Sequence, residues 1–320
     1  MIASSAKPQA AYRLAPSPTG SQHIGNARTY LISWLAARSC RSRVVLRIED
    51  IDSPRIKAGA TEQTLDDLRW LGLDWDIGPI IQTQRLGLYR AALSRLQEQE
   101  FVYPCTCTRN DIDAAASAPH ADHEGPVYPG TCAGRKVNDA VHIANRPFCW
   151  RFRVTDSPSF HDGFRGLEHI DLQQHGGDFV VWKSSSTPAY QLAVVVDDAE
   201  QQITEVIRGD DLIPSTPRQL LLYQALQVEP PRFTHVPLVV GPDGRRLAKR
   251  HGDTRLSALR SAGVTPEALL GLLAWSCGWL REISPVKLPE LISCFRLDSI
   301  PPQPFIMTTT LLKQIGYRGC

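Results

Sequence analysis

The stretch from Tyr12 to Arg38 does most to limit what this chain can fold into. An apolar run, Tyr12 to Ala15, is broken by Pro16-Ser17-Pro18-Thr19-Gly20, and Asn26 to Arg38 then places Ala27, Leu31, Trp34 and Leu35 on one helical stripe. Strand, small-residue turn and helix in that order open an α/β sheet. The turn is expected to leave helix amides and the positive end of the helix dipole facing outward, which favours phosphate oxygens. Gly20 and Gly25 let a ligand approach the backbone, and His23 can donate to a phosphate.

The pattern continues with a strand at Val44 to Ile48, a polar turn at Glu49-Asp50-Ile51-Asp52-Ser53-Pro54, and helices at Thr61 to Leu71 and Leu86 to Gln99. Strand alternating with helix argues for a parallel sheet flanked by helices. Ligands in such sheets bind beyond the carboxyl ends of the strands, where the Pro16–His23 and Glu49 turns both fall. From Cys105 to about Gly177, Gly, Pro, His and Asp become dense and helical periodicity fades, which reads as an insertion. Phe179–Trp182, Leu192–Val196 and Thr204–Ile207 are expected strands that restore the sheet; Thr216–Leu226 and Pro266–Gly278 are expected helices.

With 320 residues, 42% of them hydrophobic and 21% charged, the chain is long enough for a full core and more than one domain. A formal charge of only +2 means that any RNA contact must come from local basic patches such as Arg245, Arg246, Lys249 and Arg250, which follow the turn Gly241-Pro242-Asp243-Gly244. No apolar run approaches the roughly 18 residues that span a bilayer, and no secretory h-region is evident, so a cytoplasmic location without membrane contact is expected. The eight cysteines are scattered rather than arranged as a disulfide framework. Three of them cluster. Cys105, Cys107 and Cys132 can supply three thiolates to a tetrahedral zinc ion, with Tyr128, His120 or His123 as the fourth ligand; a metal staple suits an insertion too polar to form its own core.

Two separated elements make joint sense around a nucleoside triphosphate. The segment Ala15–Gly20 closing on His23-Ile24-Gly25-Asn26, and the distant Arg246-Leu247-Ala248-Lys249-Arg250, resemble the HIGH and KMSKS elements of class I aminoacyl-tRNA synthetases. Arg13 to Gly20, Leu46 to Asp52, Asp67 to Asp76, Tyr103 to Thr108, Asp178 to Lys183, Tyr190 to Asp198 and Val206 to Asp211 closely resemble glutamyl-tRNA synthetases, over residues from about 12 to 280. Arg246 and Ala248 depart from the KMSKS pattern, and Asn26 from HIGH. Only seventy residues follow Arg250, too few for the helical anticodon-binding region of a full synthetase. Such a shortened form is similar to the glutamyl-Q tRNA(Asp) synthetases, and the Cys105, Cys107, Tyr128, Cys132 set matches that family's zinc site.

The resemblance implies a class I Rossmann-type parallel sheet with a zinc-containing insertion and a mostly helical C-terminal region. Residues 8–104 and 178–214 would form the catalytic domain, 105–177 the inserted acceptor-like domain, and 215–320 the KMSKS loop and stem-contact-like region. It implies ATP-dependent activation of L-glutamate and transfer to the queuosine of tRNA(Asp), with Mg2+ accompanying ATP, one structural Zn2+ and a monomeric enzyme. His23 and Lys249 would be catalytic. ATP would be held by Pro16, Ser17, Pro18, Thr19, Gly20, His23, Gly25, Asn26 and Arg246, Leu247, Ala248, Lys249, Arg250. Glutamate would be held by Arg13, Leu14, Ala15, Pro16, Ser17, Glu49, Tyr190 and Arg208, with Arg13 on a carboxylate and Glu49 on the ammonium. A charging synthetase without an anticodon reader and a non-catalytic glutamate- or RNA-binding module are the competing expectations.

Overall fold

The computed structural model describes residues 9–51, 56, 58–115, 127–245, 247 and 253–318. The chain forms two compact units, one from residues 1–81, 203–211 and 232–320, the other from 82–202 and 212–231. The first unit begins with β1 (Ala11–Leu14), α1 (Ile24–Ser39), β2 (Arg43–Ile48), α2 (Ala60–Trp70) and β3 (Ile77–Ile81). The second takes α3 (Leu86–Glu98), β4 (Val102–Cys105), α4 (Arg109–Ala115), β5 (Cys149–Phe152), β6 (Phe160–Asp162), β7 (Gly166–Glu168), β8 (Phe179–Trp182) and α5 (Tyr190–Glu200). The chain returns to the first unit for β9 (Glu205–Gly209), leaves for α6 (Ser215–Leu226), and returns with β10 (Arg232–Val236). It ends there with β11 (Val239–Val240), α7 (Leu256–Ser261), α8 (Pro266–Ser276), α9 (Leu288–Cys294), β12 (Phe305–Ile306) and α10 (Thr309–Gln314).

The first unit is built on a five-stranded sheet ordered β10-β9-β1-β2-β3, with every adjacent pair parallel. β2 reads Arg-Val-Val-Leu-Arg-Ile and is buried over its last five residues, as a strand covered on both faces must be. Connections run outward from β1 in both directions, so the strand order reverses between β1 and β9. A crevice opens beyond the carboxyl ends of strands at such a reversal. α1 lies against β1 and β9, burying Ile24, Ala27, Leu31, Ile32, Trp34 and Leu35. Arg28 is buried on the same helix and donates to Ser276 Oγ at 3.0 Å and to the Pro237 carbonyl at 2.7 Å, which ties α1 to the C-terminal segment. β11 and β12 pair in parallel in the same unit.

The second unit carries a three-stranded antiparallel sheet, β4-β5-β8, and the packed helices α3, α5 and α6. Here two expectations are corrected. Phe179–Trp182 is a strand, but it pairs antiparallel with β5 and does not restore the parallel sheet. Leu192–Val196 is not a strand at all: it is the middle of α5. Its Leu-Ala-Val-Val-Val run is buried on every side by α3, α6 and β8, and a wholly buried helix shows no periodicity that separates it from a wholly buried strand. The apolar run 288–295 forms the whole of α9 and its C-cap Phe295. Among the described residues, no helix is long and apolar enough to cross a membrane.

Candidate active site and candidate metal centre

In the first unit, the turn after β1 is fixed by a network of side chains. Gln22 is buried; its amide N–H and the Ser21 hydroxyl both donate to Asp67 Oδ2, at 2.9 and 3.0 Å, and Gln63 donates to Asp67 Oδ1 at 2.9 Å. Gln22 Nε2 reaches the Ser17 carbonyl, and its Oε1 accepts from Asn26 at 2.6 Å and from the Tyr30 hydroxyl at 3.1 Å. Burial pushes the Asp67 carboxyl up, against the three hydrogen bonds it accepts. Gly20 has φ +142°, a conformation that favours glycine.

His23 caps α1. Its Nδ1 accepts from the Gly25 N–H at 3.1 Å, so in the neutral ring the proton lies on Nε2, the atom that can donate to a phosphate oxygen. The helix end is less open than the sequence suggests, because the Ile24 N–H donates to the Thr254 carbonyl and the Gly25 N–H to His23. Those two amides are therefore already engaged within the protein. Residues 21–24 are also joined to 254–257: Leu256 N–H donates to the Gln22 carbonyl at 2.7 Å, Ser257 N–H to Ser21 Oγ at 3.1 Å, and His23 and Arg255 form an antiparallel bridge. The turn after β1 is thus bonded to the segment that follows Arg250. Arg246, Ala248, Lys249 and Arg250 lie outside the described residues; Leu247 is half-buried.

Arg13, on the central strand, and Leu14 are buried, as are Pro16 and Pro18, whereas Ser17 and Thr19 are exposed. Glu49 follows β2; its N–H donates to the Pro16 carbonyl, and its Oε1 pairs with the buried Arg47 at 3.0 Å. Tyr30 reports on how Arg13 and Glu49 are arranged. Burial holds its hydroxyl well above the ordinary phenol range, with the Glu49 charge adding to that and the Arg13 charge opposing it, so both groups act on one phenol. Arg208 is buried on β9, with its Nε donating to His235 Nε2 at 2.9 Å and its guanidinium 5.0 Å from the Phe233 ring centre. Tyr190 opens α5 in the second unit, its side chain 39% exposed.

The cysteine cluster belongs to the second unit. The sulfurs of Cys105, Cys107 and Cys132 all lie within 4.8 Å of one another. Cys107 and Cys132 are 3.6 Å apart, and the Tyr128 hydroxyl is 3.4 Å from Cys105 Sγ and 3.9 Å from Cys107 Sγ. Ligands about 2.3 Å from a tetrahedral zinc are separated by roughly 3.8 Å, so these four atoms fit the edges of such a site. The Cys132 N–H donates to the Tyr128 oxygen at 2.8 Å, a bond that favours the phenolate. His120 and His123 lie outside the described residues.

Two neighbours of the cluster escape a reading by spacing. Cys149 is the register partner of Cys105 across β4 and β5, and its thiol, hydrogen-bonded to Cys105, holds the Cys105 thiol far below its usual range, with Tyr128 and Arg151 adding to the effect against burial. Arg151 is buried, donates to Cys105 Sγ at 3.3 Å and to the Asp178 carbonyl at 2.9 Å, and stacks 3.9 Å over the Tyr128 ring. Three thiolates and a phenolate leave an excess of negative charge even around a divalent ion. The guanidinium offsets part of it.

A reversing parallel sheet with a histidine-capped helix after its first strand defines an open, doubly wound α/β protein. The comparisons narrow that class: residues 9–297 match the model for tRNA synthetases class I (E and Q), catalytic domain, and the chain belongs to that family. It is 55% identical over 278 residues to a glutamyl-Q tRNA(Asp) synthetase of Rhodopirellula baltica, covering 83% of this chain and 84% of that protein. It is 41% identical to glutamate–tRNA ligase 1 of Syntrophus aciditrophicus, over 90% of this chain and 60% of the ligase. The crystal structure of a glutamate tRNA ligase from Elizabethkingia meningosepticum in complex with its amino acid superposes with a TM-score of 0.82 at 26% identity, over 96% of this chain and 68% of the other.

Proposed function

We propose that this chain activates L-glutamate with ATP and transfers it to the cyclopentenediol of queuosine in the anticodon of tRNA(Asp). The observation that carries the reading is the junction of residues 21–24 with 254–257, which ties the His23 turn to a segment only a few residues after Lys249 in the sequence. The choice of acceptor rests on the 55% identity to a glutamyl-Q tRNA(Asp) synthetase of nearly the same extent, against 41% to a glutamate–tRNA ligase of which the chain covers 60%.

In the first step a glutamate carboxylate oxygen bonds to the α-phosphorus of ATP as the bond to pyrophosphate breaks. In the second a cyclopentenediol hydroxyl attacks the acyl carbon, AMP departs, and the hydroxyl proton is released. Glutamate is its own nucleophile, so the protein supplies placement and charge. His23 Nε2–H donates to a phosphate oxygen and Lys249 offsets phosphate charge, Pro16–Gly20 with Gly25, Asn26 and Arg246–Arg250 line the nucleotide, and Mg2+ enters with ATP as its counter-ion. Arg13 takes a carboxylate of glutamate, Glu49 its ammonium, and Tyr190 and Arg208 complete the amino-acid pocket. Cys105, Cys107, Tyr128 and Cys132 hold one structural Zn2+. The enzyme is taken as a cytoplasmic monomer.

The test is incubation with labelled glutamate, ATP and tRNA(Asp) carrying queuosine, followed by removal of the terminal adenosine. Label should stay with the anticodon fragment; label lost with the terminal adenosine would transfer the activity to ordinary charging. Absence of glutamate-dependent ATP–pyrophosphate exchange by metal-replete protein would end the enzymatic reading altogether.

A further inference from the structure

We infer that His235 is a positioning residue for glutamate selection: a neutral hydrogen-bond acceptor that aims the Arg208 guanidinium without cancelling its charge. The inference rests on the reading above that Arg208 lines the glutamate pocket, and adds a residue to which that reading gives no role.

Arg208 and His235 are register partners on the adjacent parallel strands β9 and β10, so their side chains leave the sheet on the same face. His235 is fully buried and Arg208 nearly so. Arginine stays protonated and has no acceptor, so in the 2.9 Å contact the Arg208 Nε–H donates and His235 Nε2 accepts. That direction fixes the imidazole as the neutral ring with its proton on Nδ1. Phe233, two residues earlier on the same face of β10, lies nearly parallel to the His235 ring, at 15° and 6.3 Å, and presents its own ring 5.0 Å from the guanidinium carbon. His235 accepts from the inner nitrogen of the arginine while the Phe233 ring lies beside its guanidinium.

The choice of partner matters for an anionic substrate. An aspartate in place of His235 would hold the guanidinium as firmly, but its charge would compete with the glutamate carboxylate for the same cation. A neutral acceptor on Nε orients the plane without itself opposing the positive charge, and the fork of terminal nitrogens has the geometry that a carboxylate fits.

The test uses the full chain, loaded with zinc, in glutamate-dependent ATP–pyrophosphate exchange, with H235Q, H235N and R208Q beside the parent. In H235Q the side-chain carbonyl reaches the place of Nε2, whereas in H235N the shorter side chain puts its carbonyl at the place of Nδ1; both replacements are polar, so they burden the buried site similarly. H235N should raise the KM for glutamate about tenfold, the scale of one charge-assisted hydrogen bond, with kcat and the KM for ATP held within about threefold. H235Q should restore the KM for glutamate to within about threefold of the parent. Equal KM values for H235N and H235Q, or a rise in the KM for ATP that matches the rise for glutamate, would overturn the inference, since either outcome describes mere packing. Thermal melts of each variant show that it folds; if H235N does not, H235Q alone decides, because a large rise in its KM for glutamate refutes the acceptor role. R208Q separates the two levels. A large rise for R208Q with none for H235N removes His235 alone, while an unchanged KM for R208Q removes Arg208 from the pocket and His235 with it.

Discussion

Gly25 shows how closely a single atom governs the His23 ring. A methyl group at Gly25 would meet the imidazole at 3.0 Å and the Val239 side chain at 3.6 Å, so the ring must turn and its bond from the Gly25 N–H must lengthen. G25A should therefore raise the KM for ATP by about three- to tenfold, the equivalent of the ~0.5–1.5 kcal/mol of an off-rotamer side chain, with little change in melting temperature. A KM for ATP equal to the parent's would remove His23 from the nucleotide site. Arg151 invites a different measurement. R151M deletes the donor to Cys105 Sγ and the cation over Tyr128, and competition with a chromophoric chelator should show zinc held about 10- to 100-fold less tightly, as when other outer partners of metal ligands are lost. Unchanged zinc retention would show that the guanidinium serves packing only. The three clustered cysteines were legible from spacing, whereas the roles proposed for Arg13 and Glu49 come only from the family motifs that surround them. Arg151, Cys149 and His235 were not, since each acts across a strand pair whose register joins residues far apart in sequence.

At the scale of elements, α5 shows where patterning misleads. Its apolar run reads as a strand, and the run ends at Asp197, which is buried within the helix. Asp197 accepts from Gln82 at 2.7 Å, Arg85 at 2.7 Å and Tyr89 at 2.9 Å, so one carboxylate fastens α5 to α3 and to the turn before it. D197A removes that acceptor from three donors and should cost about 3–5 kcal/mol, read as a fall in the urea midpoint. A loss under about 1 kcal/mol would mean that water replaces the carboxylate easily. The alternation of the first two strands with their helices was legible because α2 keeps an apolar stripe, with Leu68 buried and Glu62, Asp66 and Arg69 exposed, whereas the short β3, Ile77–Ile81, was not legible as a strand. Burial on all sides erases that stripe in α5, and strand length alone did not reveal that β8 belongs to a separate antiparallel sheet.

At the scale of the molecule, each unit coheres by its own means. The first has a broad parallel sheet; the cysteine cluster of the second has a small core of Tyr103, Cys105, Tyr128 and Cys132, with few apolar side chains around it. In zinc-loaded protein, stripping the metal with a strong chelator should therefore expose residues 105–112 and 127–135 to limited proteolysis before the other described segments, with the cut sites read by mass spectrometry. First cuts within β1, β2 or α1 would contradict this. The junction of Ser21 with Ser257 has a further consequence, because those residues are 236 positions apart. Closing so long a loop is an entropic step that local structure cannot perform in advance. During synthesis the opening strand and helix leave the ribosome long before their distant partner exists, so a nascent or prematurely terminated chain lacks the bonds that join residues 21–24 to 254–257.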